Sequence, residues 1–491
     1  MVLKISLRAS IGFGVVLALS SCGPRLATTS ADVGAGEGEV LALADRADDT
    51  APTYHADVAP ILQKNCVTCH REAQATDFDD GNGFYSADLV APMGLRTYED
   101  ARAWARRIAY AVEERRMPPW GASVEFRGKF SNERYLEDEE IATLVAWAEA
   151  GAPAGDPSEA SLVDYVETDP NTWALENPDL EFRFAEPFLV DGDAVDLYVN
   201  VHLKLSEEQH PEDRWIKASE LRAGSNAVHH INTQYLVTIA PGRETVYRWP
   251  KGFGMFLPAE ATLLFDMHFH KEPGEVVPDR SGGALVFYED GEVIDYLVET
   301  FSALNGTGAP GRTGSLDLRV PAGAEDYTFT ATQLFEEDTY LLSTGPHMHF
   351  RGKSIKLELE YPDGRKELLV DVPRYDFMWQ HTYDFKEPVL MPGGSVLHLT
   401  GTWDNSAGNP HNPDPTTEVR WGRATTDEML TGRFTVANAK PMGYVVGRDP
   451  IPEIALEDAA RYQRTVDRST SGRPTAKRTV DGPVDLRSNR D

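Results

Sequence analysis

Cysteine is nearly absent from this chain, which has only three cysteines among its 491 residues. Cys66 and Cys69 lie close together, and Cys22 stands alone near the N-terminus. A Cys-x-x-Cys zinc site needs a second pair of ligands at similar spacing, and no other cysteine pair exists. With all three cysteines otherwise assigned below, a disulfide-stabilised fold is excluded as well.

Positive charge is also scarce. The chain has 47 Lys and Arg against 78 Asp and Glu, which gives a formal net charge of −31. This excess of negative charge argues against nucleic acid as a partner and against electrostatic adhesion to anionic lipid. It favours solubility, cationic redox partners or metal ions.

The pentapeptide Cys66-Val67-Thr68-Cys69-His70 has the spacing of a covalent haem attachment site. Each thiol can form a thioether to a haem vinyl group, and the adjacent imidazole then reaches the iron. The alternative is a redox disulfide, but that motif is typical of a βαβ context, which is absent here. We therefore predict one covalently bound c-type haem.

The N-terminus has the pattern of an export signal. Lys4 and Arg8 precede a short apolar run over residues 11–19, too short for a convincing membrane span, and Leu19-Ser20-Ser21-Cys22 resembles a bacterial lipobox. We expect cleavage before Cys22 and lipid on its sulfur, so that the protein is exported, faces the periplasm or cell surface, and touches the membrane only through this anchor. The alternative is an ordinary secretory signal with a chance cysteine.

Length and local composition predict a multidomain chain: a small all-α cytochrome c domain followed by two all-β, jelly-roll-like sandwiches. The predicted segments are a lipoprotein signal peptide (1–21), a flexible tether (22–51), the cytochrome c domain (52–157), a linker (158–175), two β-sandwich domains (176–305 and 306–448) and a disordered polar tail (449–491).

Helical periodicity in the first domain predicts three helices. One leads into the haem motif, one runs from about Tyr98 to Arg116, and one starts near Glu137 and stops before Gly151. Met117, on an extended loop with Pro118 and Pro119, is the predicted distal iron ligand, because a thioether there raises the haem potential. Met93 is the alternative.

From about residue 177 onward, short alternating segments replace the helical pattern. Ile355, Leu357 and Leu359, for example, precede a Pro-Asp-Gly turn and a return strand. The histidines of this region are grouped: His229 with His230, His268 with His270, and His347 with His349. Alternate residues of a strand share a face, so His347 and His349 can bind one metal ion together. Imidazole nitrogens combined with a thioether sulfur suit copper.

The order His-His, strand-terminal His, His-x-His, Asp-Glu-Met resembles the type II copper, ascorbate-dependent monooxygenases, the family of peptidylglycine α-hydroxylating monooxygenase and dopamine β-monooxygenase. The resemblance covers roughly residues 177–446 and extends to supporting motifs, which are Trp379-Gln380, Trp403-Asp404-Asn405-Ser406, Asn409-Pro410 and Val419-Arg420-Trp421-Gly422. Unlike the animal enzymes, which are disulfide-rich, this β region has no cysteine, and no clamp for a substrate carboxylate can be mapped.

The resemblance implies two copper sites. His229, His230 and His268 would hold an electron-storing copper, and His347, His349 and Met429 would hold the catalytic copper that meets dioxygen and substrate. Adjacent histidines on a regular strand point to opposite faces, so His229 and His230 require a twist or bulge to share an ion. Spacing alone does not choose between His268 and His270; the family pattern selects His268.

Two function classes follow. The first is an exported copper monooxygenase that hydroxylates a C–H bond of a small organic substrate with dioxygen, its electrons supplied by an ascorbate-like reductant or a periplasmic cytochrome and relayed by the fused haem. The second is a non-catalytic, lipid-anchored electron-transfer or copper-binding lipoprotein. Two complete three-residue ligand sets favour the enzyme.

Overall fold

The computed structural model describes residues 51–67, 69–70, 93–160, 173–184, 186–193, 196–225, 227–240, 245–271, 273–274, 276–303 and 314–471. The predicted signal peptide, Cys22, nearly all of the tether and most of the linker lie outside these residues, as do Thr68 of the haem motif and the end of the tail. All described residues belong to one unit, Ala47–Asp491. Within this part of the chain, no helix combines the length and apolarity needed to cross a bilayer.

The first described region is helical. A π-helical turn (Tyr54–Val58) runs into α1 (Ala59–Asn65), and α2 (Tyr98–Glu113) and α3 (Asp138–Glu149) follow. Thr97 caps α2 by accepting a hydrogen bond from the Asp100 backbone, and Glu137 with Glu140 forms a capping box on α3. The three helices pack around their own apolar core, whose members include Leu62, Ile108, Leu144 and Trp147. The predicted helices are confirmed to within a few residues.

The rest of the described chain is mostly β, as predicted. The strands of the first lobe (residues 173–303) are β1 Leu180–Arg183, β2 Phe188–Val190, β3 Asp196–Lys204, β4 Arg214–Arg222, β5 Val228–Asn232, β6 Val246–Arg248, β7 Phe253–Leu257, β8 Thr262–His270, β9 Val277–Asp279, β10 Gly282–Phe287, β11 Val293–Ile294 and β12 Tyr296–Ala303. Those of the second lobe (residues 314–448) are β13 Arg319–Val320, β14 Tyr327–Leu334, β15 Thr339–His347, β16 Gly352–Glu360, β17 Lys366–Val372, β18 Tyr383–Met391, β19 Val396–Trp403, β20 Val419–Arg420, β21 Thr431–Asn438 and β22 Tyr444–Val445. Short 3₁₀ turns cover Val124–Phe126, Pro157–Glu159 and Ser315–Asp317.

One long sheet runs through both lobes in the order β1-β10-β4-β7-β12-β21-β15-β18, with β6 beside β4. In the first lobe it faces the sheet β3-β8-β5 across an apolar core, and in the second it faces β14-β19-β16-β17 across another. The two lobes meet where β12 pairs antiparallel with β21. Each lobe is thus a β-sandwich, and one layer is shared between them.

The hairpin predicted at residues 355–372 is present. Strands β16 and β17 pair antiparallel, and alternate residues Ile355, Leu357 and Leu359 are fully buried. Gly364 closes the turn with a φ of 83°, in the left-handed region that glycine enters without strain. Its backbone N–H donates to Tyr361 O at 2.8 Å.

The prediction of a disordered tail from residue 449 is wrong for α4 (Glu453–Ser471). Ala455, Tyr462 and Val466 form one buried face of this helix, and the Tyr462 hydroxyl accepts a hydrogen bond from Leu264 N at 2.8 Å. The many charged residues of the opposite, solvated face make the segment polar on average, so its composition hides a narrow apolar stripe.

Part of the predicted 52–157 domain packs elsewhere. Ala122, Phe126 and Phe130 belong to the apolar core of the second lobe, not to the helical core. Backbone hydrogen bonds fix this segment: Ser123 N donates to Asp371 O at 2.8 Å, and Ser131 N donates to Asp384 O at 2.8 Å. The chain between α2 and α3 therefore joins the helical region to the second lobe.

Candidate metal centres

His229, His230 and His268 lie together in the first lobe. One ligand nitrogen from each falls within 4.8 Å of the others. His230 pairs with His268 across β5 and β8, and the register shifts between Val228 and His230. This bulge adds His229 to the strand as an extra residue, so that the side chains of His229 and His230 turn toward one point, with their Nδ1 atoms 3.3 Å apart.

His268 is held on both sides. Its Nε2 bonds Asp196 Oδ1 at 2.9 Å, and Tyr198 stacks on its ring with the centroids 4.1 Å apart. This leaves Nδ1 buried without a hydrogen-bond partner among the described residues. His270 also bonds Asp196, but its side chain is 47% exposed and it is not part of the three-histidine group.

Burial favours the neutral form of two histidines of this group, His229 and His268. Burial lowers the pKa of His229 to about 3, and the neighbouring His268 and His270 lower it further. Burial also lowers the pKa of His268, although its bond to Asp196 opposes the shift. Neutral imidazoles carry the lone pair that a metal ion needs. His229 Nε2 and His268 Nδ1, both buried and without hydrogen-bond partners in this part of the chain, are further signs of a site built for a ligand.

The second set lies at the end of β15. The rings of His347 and His349 are 5.1 Å apart between centroids. His347 Nδ1 donates to Gln380 Oε1 at 2.9 Å, and His349 Nδ1 donates to Asp427 O at 3.3 Å. Each bond occupies Nδ1, so each ring is left with the Nε2 lone pair for a metal. Burial lowers the pKa of His349 to about 4, which keeps this ring neutral.

A buried carboxyl group ties the Asp-Glu-Met motif to these histidines. Glu428 accepts hydrogen bonds from the backbone of His349 and Arg351 and from Trp403 Nε1, at 3.0, 2.7 and 2.9 Å. Burial raises the pKa of Glu428 to about 7, against the opposing effect of these donors. These bonds hold Glu428 against the turn after β15, and the next residue, Met429, lines the same cavity as His347 and His349.

Members of both histidine sets line one cavity of about 420 Å³. His230 and His268 line it from the first lobe, and His347, His349 and Met429 line it from the second. Phe377, on the loop between β17 and β18, stands between the sets: its ring lies 5.5 Å from His229 and 5.9 Å from His349. Other lining groups include Tyr198, Asp266, Trp421, Arg423 and Arg433.

The haem motif lies at the end of α1. Its two cysteines are not joined in a disulfide, and burial raises the pKa of Cys66 to about 12, helped by nearby Cys69. His70 is buried, and its Nδ1 bonds Met93 O at 3.2 Å. Met117 follows α2 and is half-buried, and its backbone N–H donates a hydrogen bond to Ala111 O at 3.1 Å.

Sequence reasoning missed several residues that the geometry makes prominent. Asp196, Phe377 and Glu428 each contact a candidate ligand residue, yet only Glu428 belongs to a motif singled out beforehand. Gln380 stood in the supporting motif Trp379-Gln380 without a role. Asp196 begins an alternating strand directly opposite His270, so the pairing of β3 with β8 was the signal that would have revealed it.

Comparison with known proteins gives little help. No family model matches the chain, and no curated protein matches it either. Among solved structures, the tandem CBM22 domain of Xyn10C from Paenibacillus barcinonensis is 11% identical over 49% of this chain and 82% of that one, with a TM-score of 0.14. The VP2 subviral particle of infectious bursal disease virus is 9% identical over 60% and 91%, with a TM-score of 0.15. At these scores the likeness supports no argument about fold or function.

Proposed function

We propose that this chain is an exported copper-dependent monooxygenase that hydroxylates a C–H bond of a small organic molecule with dioxygen. The observation that carries the proposal is that two three-residue ligand sets lie at one cavity, which five of the six candidate ligands line, all but His229. A copper-storage or copper-binding lipoprotein needs neither two sets nor a shared cavity between them. The resemblance in motif order, drawn from sequence alone, supports the same assignment.

The donor atoms fit copper. The first lobe offers three imidazole nitrogens, and the second offers two imidazoles with a thioether, a soft donor that suits Cu(I). Cysteine thiolates, which zinc favours, are missing from both sets. Copper bound there would supply the redox chemistry that activates dioxygen.

The protein groups have separable tasks. Asp196 orients His268, and Gln380 orients His347, each by a hydrogen bond to the ring nitrogen that does not face the metal. Phe377 fills the space between the two sets and limits the water that reaches them. The cavity volume of about 420 Å³ suits a small organic substrate.

We also propose that the helical region is a cytochrome c domain. The His70 Nδ1 bond to Met93 O leaves Nε2 for iron, and it places the Met93 backbone on the side of the ring away from the metal. The His70 ring would then stand between the Met93 backbone and a bound haem. This favours Met117 over Met93.

The test is metal analysis combined with turnover. Purified full-length protein reconstituted with copper should hold two coppers per chain, and after reduction it should consume dioxygen and hydroxylate a compound from a panel of small organic molecules. Two bound coppers without oxygen consumption would indicate the copper-binding lipoprotein instead. A single zinc, or no bound metal, would contradict the proposal.

A further inference from the structure

The segment after Met117 runs directly from the helical region to the second lobe. Trp120, three residues on, packs edge-on against Tyr383 at the start of β18, with ring centroids 5.1 Å apart. It also lies 6.0 Å from Phe130, which is fully buried in the core of that lobe. Residues 117–120 thus carry both the proposed distal haem ligand, Met117, and the Trp120 indole, which packs against the core of the second lobe.

Trp120 reaches the second ligand set through two adjacent residues. Its ring lies 5.5 Å from the ring of His381, which is buried. His381 directly follows Gln380 in the chain. The side-chain oxygen of Gln380 accepts a hydrogen bond from His347 Nδ1 at 2.9 Å. The contacts from Met117 to His347 are therefore two short runs of chain, one ring contact and one hydrogen bond.

The surrounding contacts hold this arrangement in place. Arg374 Nη2 donates to Glu114 O at 3.0 Å, and Asn132 Nδ2 donates to Thr382 O at 2.8 Å. The backbone of Asp384 donates in return to Asn132 Oδ1 at 3.2 Å. The two bonds of Asn132 hold residues 382 and 384, next to His381, and the bond of Arg374 ties the preceding loop to the end of α2.

We propose that Trp120 and His381 form the electronic contact through which the helical domain is coupled to the metal site at His347. The inference rests on the proposed function. One electron leaves the reduced c-type haem, which is oxidised from the ferrous to the ferric state, and one cupric ion at His347 is reduced to the cuprous state. No covalent bond forms or breaks, and no proton is required. Trp120 would act only in this transfer, and it does not line the cavity that holds the candidate copper ligands.

The experiment is flash photoreduction of the haem in full-length, copper-loaded, oxidised protein under anaerobic conditions. Haem absorbance is then followed as the electron moves on, and copper electron paramagnetic resonance reports the site that receives it. We expect a fast phase of haem reoxidation in the wild type and in Trp120→Phe, which keeps an aromatic ring. We expect loss of this phase in Trp120→Leu and in His381→Leu, with two coppers still bound and the haem potential unchanged.

Ligand variants identify the entry point. His347→Ala should abolish the fast phase, whereas His229→Ala should retain it, because the electron enters at the second lobe. The opposite pattern, or a fast phase in Trp120→Leu as rapid as in the wild type, would overturn the inference and leave the proposed function standing. If the wild-type protein binds two coppers but shows no fast phase, the inference is overturned and the proposed function still stands. Failure to bind copper would overturn both.

Discussion

The ring of Phe377 stacks on the imidazole of His229, with centroids 5.5 Å apart and 16° between the planes. The same ring lies 6.1 Å from His347 and 5.9 Å from His349. One side chain from a second-lobe loop therefore touches candidate ligand residues of both lobes. This contact sets how open the space between the two sets is.

Phe377→Leu should uncouple dioxygen consumption from hydroxylation. The variant removes no ligand, so both coppers should still bind, but the smaller side chain admits water to the space between the sites. We expect less product per dioxygen consumed, measured with an oxygen electrode and product analysis. Phe350→Leu is the matched control, since Phe350 packs on Phe377 at 4.8 Å. Equal coupling in the two variants would contradict the role given to Phe377.

Asp196→Asn should weaken copper binding in the first lobe only. The carboxylate holds His268 Nε2, and loss of such an outer-shell partner costs about 10- to 100-fold in metal affinity. Copper titration followed by electron paramagnetic resonance would separate the two sites. His270→Ala is the control, because His270 shares Asp196 but lies outside the three-histidine group. A larger loss of copper affinity in His270→Ala than in Asp196→Asn would contradict His268 as the third ligand of this site.

The haem ligands can be tested by spectroscopy. The protein should show one c-type haem that survives denaturation, and Met117→Leu should lose the sulfur-to-iron charge-transfer band and lower the potential. Met93→Leu should keep both, because the Met93 carbonyl, which the variant retains, is what bonds His70. The reverse result would make Met93 the axial ligand.

Asp279, which belongs to neither ligand set, should make stability depend on pH. It is fully buried beside Ser225 and Ser281, and burial raises its pKa from 3.8 to about 6. Between these values the unfolded chain releases its proton first, so the free energy of unfolding falls as pH rises, by up to about 3 kcal/mol. Below pH 4 the contribution is constant. Because other buried groups titrate in the same range, the test is the difference in the free energy of urea unfolding between the wild type and Asp279→Asn: it should fall as pH rises from 4 to 6, and a difference independent of pH would contradict the assignment.

Local patterns predicted much of the fold because they reflect local physics. Alternation predicted the hairpin around the Pro-Asp-Gly turn, and helical periodicity predicted a helix from about Tyr98, where α2 begins. The tail failed because the solvated face of α4 outweighs its apolar stripe in composition. The continuous sheet through both lobes was not predictable, since the pairing of β12 with β21 joins residues far apart in the chain.

The candidate metal site, like the fold, could be predicted from the sequence only in part. The need for a bulge at His229 followed from strand geometry, and the register shift in β5 meets it. Phe377 and Trp120 carried no sequence signal, because each acts through a ring contact with a distant residue. Asp196 was similarly hidden, since only the pairing of β3 with β8 brings it to His268.

X-ray absorption on copper-reconstituted, reduced protein tests the central claim most directly. The account predicts two coppers per chain, a Cu–S scatterer in the wild type, its disappearance in Met429→Leu, and loss of one copper with all hydroxylation in His349→Ala. His229→Ala should also lose one copper but keep the sulfur scatterer. One metal per chain, zinc in either site, or a sulfur signal that persists in Met429→Leu would contradict the account.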